Sequence, residues 1–135
     1  MDLTKCAALK SELSMKEEPQ IVPIERFLDG NDDMASIGCN LDDHPGMTRF
    51  REVFAALRRR PDVRAGYAQI AELDLGPDYW PFTDTVLVMG SLTRGALVDA
   101  VEPLRADEVE ELDPDQVPSA VKSEKAESVY VIWWD

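Results

Sequence analysis

At 135 residues the chain has the size of one ordinary domain and is long enough to bury a hydrophobic core without metals or disulfide staples. Its 27 acidic side chains against 14 basic ones give a formal charge of −13, a field that repels nucleic-acid backbones and anionic lipid surfaces. The longest apolar runs, Thr85 to Met89 and Val129 to Trp134, fall far short of the roughly 20 residues a membrane-spanning helix needs, so neither nucleic acid nor membrane is an expected partner.

In chain order, Leu3, Cys6, Ala7, Ala8, Leu9 and Leu13 form a weak helical stripe, and Met15 to Pro19 reads as a linker. Residues 1–20 are therefore expected to be an N-terminal helical appendage, ahead of a single α+β domain over residues 21–135. No apolar h-region follows a basic start in this stretch, so no secretion signal is expected. Cys6 and Cys39 are the only cysteines, and together these features point to two reduced thiols in a cytoplasmic setting.

Ile21 to Ile24 reads as a short extended segment, followed by one helical turn up to Asp29. The turn formers Asp29, Gly30, Asn31, Asp32 and Asp33 then precede Ser36 to Leu41, which reads as the first core strand. Phe50, Val53, Phe54 and Leu57 recur at helical spacing from Met47, with Pro45 at the entry, Asp42 or Asp43 as a cap, and Pro61 forcing the stop. Val63 to Leu73 reads as a second strand, bulged near Gly66, and Thr85 to Met89 as a central strand buried on both faces. Ser91 or Thr93 caps a helix limited by Pro103, Asp107 to Leu112 is an acidic strand, Asp113 to Glu127 an exposed loop, and Ser128 to Trp134 the last strand.

This order predicts a ferredoxin-like βαββαβ sandwich with an extra C-terminal strand. Both faces of Val129 to Trp134 are apolar, whereas two helices cover only one face of a sheet. The second cover is expected from the N-terminal segment or from another subunit, which points to a homodimer.

Catalytic equipment is sparse. No nucleophile elbow, phosphate-cradling glycine loop or His-Glu-x-x-His motif is present, and one histidine leaves acid–base work to carboxylates. Asp32, Asp33, Asp43 and His44 could offer oxygen and nitrogen ligands to a divalent metal, yet their spacing matches neither a zinc pattern nor a calcium loop. Turn formation and helix entry explain them better. Arg49, Arg51, Arg58, Arg59, Arg60 and Arg64 form a local basic patch, suited to a surface contact or to a helix C-terminus. The best candidates for recognition are aromatic: Tyr79, Trp80 and Phe82 in one cluster, and Trp133 and Trp134 in another.

The run Pro23 to Asp33, continuing through Ser36 to Leu41 and His44-Pro45-Gly46, resembles a family of small acidic bacterial proteins without an established activity, as do Trp80 to Thr85 and the closing Trp133-Trp134-Asp135. The resemblance covers residues 21–135 and transfers no catalytic residues. In size and charge the chain is also similar to immunity proteins that neutralise basic toxins. The leading expectation is a non-enzymatic, cofactor-free binding module, immunity-like or regulatory, with an acidic, aromatic face for a protein partner, a basic one fitting best. The alternative is a small-ligand or divalent-metal enzyme using the carboxylates between residues 29 and 44.

Overall fold

Apolar residues at positions 47, 50, 54 and 57 lie on one side of a 3.6-residue helix, and in the computed structural model, which describes residues 1–121 and 128–135, all four are buried in α3 (Met47–Arg58). The helix starts after Gly46, at φ +92°, without a side-chain cap, so neither Asp42 nor Asp43 caps it. Before it come α1 (Leu3–Ser14), β1 (Ile21–Pro23) and α2 (Ile24–Leu28). After it come β2 (Val63–Glu72), β3 (Phe82–Gly90), α4 (Arg94–Val101), β4 (Glu108–Glu111) and β5 (Ser128–Trp133). Thr93 caps α4 by accepting from the Ala96 N–H at 3.1 Å, and a single 3₁₀ turn follows at Glu102–Leu104, around Pro103.

The expected strand at Ser36 to Leu41 is instead a series of turns. Local side chains satisfy this backbone before a ladder can: the Asp33 N–H donates to Asn31 Oδ1 at 2.9 Å, the Ala35 N–H to Asp33 Oδ1 at 3.0 Å, and Ser36 Oγ to the Asp33 carbonyl at 2.6 Å. Gly38, at φ +64°, interrupts the extended run; Ile37 is fully buried in the core, and Leu41 packs against it partly buried.

The sheet has the order β1-β2-β3-β5-β4, with every neighbouring pair antiparallel. The fold is therefore α+β. β3 and β4 run parallel on either side of β5 and are joined through α4, one split βαβ unit, whereas the ferredoxin-like order expected from the sequence would need two. Gly90 lets β3 pass tightly under the turn into β2: a Cβ there would stand 2.1 Å from the Asp62 carbonyl oxygen, which accepts from the Ser91 N–H.

The register sets the two faces. Val22, Ala68, Val86, Ile132 and Val109 pair in one row across all five strands, and each is buried under the helices. α1 belongs to this layer. Its Cys6, Leu9 and Leu13 are at most 1% exposed and join Phe27, Phe54 and Trp80 in one core, so the expected appendage is integral to the packing. Burial also raises the pKa of the Cys6 thiol, which donates to the Tyr79 carbonyl.

On the opposite face Ile21, Leu87, Met89 and Val129 form a second, smaller cluster. Its cover comes from within the chain: Leu112, at the end of the expected acidic strand, and Val117 and Val121, in the stretch read from the sequence as exposed loop, fold over it through 3₁₀ turns at Pro114–Gln116 and Ser119–Val121. The rest of that expected loop, residues 122–127, lies outside the described residues.

Candidate functional site

Three of the four candidate metal ligands, Asp32, Asp33 and His44, are engaged elsewhere. Asp32 binds Arg51 Nη2 at 3.0 Å and the chain's terminal ammonium at 3.3 Å, and the Arg51 guanidinium, followed by that ammonium, holds its carboxyl below the ordinary range. Asp33 accepts from the N–H groups of Ala35 and Trp80, tying the turn to the segment before β3. His44 Nδ1 accepts from the Gly46 N–H at 2.9 Å, which leaves the proton on Nε2 to donate to the Ile37 carbonyl at 2.8 Å. The Asp43 carboxylate is exposed, and its carbonyl accepts from Arg105. Among the described residues no group of three His, Cys, Asp or Glu side chains is placed to hold a metal ion.

The arginine run is also partly spent on the fold itself. Arg51 donates to the Asn31 and Leu28 carbonyls, Arg58 pairs with Glu25 and with the Arg64 carbonyl, and Arg60 grips Asp62 through two 2.9 Å bonds. These contacts fasten α3 to the preceding loop and to β2. Arg49 and Arg59 remain exposed on the helix surface.

The aromatic candidates separate by face. Trp80 and Trp134 are each 1% exposed and belong to the helical core, so neither offers its ring to a partner. The Trp134 indole donates to the Leu104 carbonyl at 2.9 Å and packs on Phe50, which in turn stacks near His44. Tyr79 is half-exposed in the turn that starts at Gly76, and Phe82 is partly buried at the start of β3. Trp133 lies on the other side of the sheet from Trp134 and is partly exposed.

Around Trp133 the register builds a surface. One row across the strands runs Ile21, Gln69, Thr85, Trp133, Glu108, and the next runs Pro23, Tyr67, Leu87, Val131, Glu110. The cover from residues 112–121 buries Leu87 but leaves Thr85, Val131 and Trp133 partly open. Glu108 and Glu110 project from the edge strand β4 beside this apolar ridge, and among the described residues Glu110 makes a loose 3.7 Å contact with Arg94. The edge itself is short and acidic, which discourages strand addition. The sequence reading included Trp133 but missed Tyr67, Val131, Glu108 and Glu110. Alternation within each strand was legible, but which strands lie side by side was not.

No helix among the described residues is long and apolar enough to cross a membrane. Neither the curated proteins nor the solved structures contain a match to this chain. A family model does match, across residues 4–133, and so takes in nearly all of α1, which the sequence reading had left outside the resemblance. With coverage of almost the whole chain, the protein belongs to the uncharacterized protein YfbO family.

Proposed function

We propose that the protein is a non-enzymatic binding module of the bacterial cytoplasm, regulatory or immunity-like, that engages a basic protein partner through the half-covered sheet face. The observation carrying this reading is the partly exposed Trp133 paired across the sheet edge with Glu108, with Val131 and Glu110 in the adjoining row. An aromatic anchor bordered by carboxylates is the chemistry that binds a Lys- or Arg-bearing surface: the ring supplies apolar area and a cation–π face, and the acids steer approach. The net charge of −13 extends that steering over the whole molecule.

The test is affinity capture from the native cytoplasm with identification of the bound proteins, run with wild type, Trp133→Ala and the double variant Glu108→Lys/Glu110→Lys. A basic protein retained by wild type should be lost with both variants and released by salt. Loss of a central Trp anchor costs about 2 kcal/mol or more, roughly thirty-fold in Kd. Retention unchanged by both variants, or no partner at low and physiological salt, overturns the reading.

A further inference from the structure

The helical layer carries a second exposed surface, independent of the sheet face. α3 forms its ridge, and the C-terminal half of the ridge is low because Ala55 and Ala56 are the exposed residues there. A groove of about 420 Å³ runs along one side, lined by Glu25, Leu28, Arg51, Phe54 and Ala55. Another of about 350 Å³ runs along the other, lined by Arg49, Glu52, Val53, Ala56, Leu57 and Ala100 among others. Glu52 and Arg59 are exposed on the same stripe as the alanines, because seven residues make almost two full turns. Among the described residues neither of them has an ion-pair partner in its own chain.

From these features we infer that the α3 face docks a second copy of this chain in an antiparallel, two-fold contact. Charge complementarity selects that occupant. Glu52 stands three residues before Ala55 and Arg59 three residues after Ala56, so the two charges are equidistant, about 5 Å along the axis, from the midpoint of the alanine pair. A two-fold axis through that midpoint brings Glu52 of each copy against Arg59 of the other, and the alanines allow the ridges to approach closely while flanking side chains enter the grooves. The surface also answers the objection from net charge. Six of the 14 basic residues fall between Arg49 and Arg64, and three of them are neutralised by Asp32, Glu25 and Asp62, so this face carries little of the acidic excess that opposes association of two copies at −13 each.

The footprint sets the strength. With the axis between Ala55 and Ala56 the two antiparallel copies overlap over residues 52–59, about 12 Å, and neighbouring helices lie 8–10 Å to either side, giving roughly 200 Å² of projected area per copy. That places the contact in the weak class, below about 1,200 Å² of total buried surface. The expected state is a dimer whose population rises with concentration.

Sedimentation velocity across a dilution series reaching about 1 mM tests this, using wild type, Glu52→Arg, Arg59→Glu and the double variant. Both substitutions are at exposed positions, and circular dichroism checks that all three variants fold. Each single variant alone should lose self-association by about ten-fold or more, since it sets like charges against each other. The double variant should regain it, and an equimolar mixture of the two single variants should form a heterodimer, because both cross-pairs are again opposite in charge. A wild type that stays monomeric throughout the series overturns the inference. So does a dimer indifferent to both single substitutions but lost with Trp133→Lys, which would move the contact to the sheet face.

Discussion

Trp133 and Trp134 are chemically identical neighbours, and the two-residue period of a strand sends them to opposite faces with different consequences for stability. Truncating Trp134 to alanine removes a fully buried ring, for which 150–250 Å² at about 25 cal/mol per Å² gives roughly 4–6 kcal/mol. It also leaves the Leu104 carbonyl without the indole donor, a further ~1–3 kcal/mol for a buried acceptor left unpaired. Domains of this size are stable by about 5–15 kcal/mol, so Trp134→Ala should bring the protein close to unfolding at room temperature. Trp133→Ala removes a ring that solvent already reaches and should cost only about 1–2 kcal/mol. Urea unfolding followed by far-UV circular dichroism measures both, and Trp134→Phe separates ring volume from the hydrogen bond. Equal losses for the two alanine variants, or a larger loss at Trp133, would falsify the assignment of faces on which the candidate site depends.

Gly90→Ala should destabilise by about 1–3 kcal/mol and lower Tm, because its Cβ would meet backbone rather than a movable side chain; an unchanged Tm would contradict the close approach at Asp62. The Arg60 pair holds the Asp62 carboxyl below its ordinary range, so the stability it contributes is complete above the unfolded-state pKa near 3.9 and disappears as pH falls through the folded-state value. The stability difference between wild type and Arg60→Gln should accordingly shrink between about pH 5 and pH 2, and a difference that grows on acidification would reverse the sign of this account. Asp33→Ala should cost about 2–3 kcal/mol by freeing the Ala35 and Trp80 N–H groups, whereas Ca²⁺ or Zn²⁺ should leave the wild-type Tm unmoved; a metal-dependent rise would return residues 29–44 to consideration as a ligand site.

What could be read from the sequence depended on how local its cause was. α3 was legible because Phe50, Phe54 and Leu57 repeat at helical spacing with prolines near both ends, and β3 because Thr85 to Met89 is a continuous apolar run. The stretch from Ser36 to Leu41 misled because its composition suits a strand, whereas its fate is decided by Asn31, Asp33 and Ser36 side chains bonding to nearby backbone. The second-face cover was missed for a related reason: Pro114, Pro118 and the surrounding charges mark loop backbone correctly, but they conceal that Val117 and Val121 are buried or partly buried. β5 inserts between β3 and β4 although it follows both, a pairing across distant sequence that propensity does not encode. Parity required one tryptophan on each face. Phe50 and the Leu104 carbonyl decided which one.

The two proposed surfaces lie on opposite layers of the sandwich, and this has a consequence that neither has alone. A two-fold axis through Ala55 and Ala56 leaves both Trp133 faces pointing away from the interface, so a dimer would present two acidic sites instead of one. A partner with a single basic patch would then bind twice per dimer with unchanged affinity. A partner that is itself dimeric would bind more tightly by the effective concentration of the second site, and only above the concentration at which this protein self-associates. Titrating an identified partner against wild type and against Glu52→Arg separates the two contributions. The charge reversal should leave the affinity of each site intact and remove only the enhancement, because position 52 is on the helical layer and the Trp133 site is on the far side of the sheet. A loss of single-site affinity in Glu52→Arg would mean that the partner reads the helical layer, and that the sheet face is not its site.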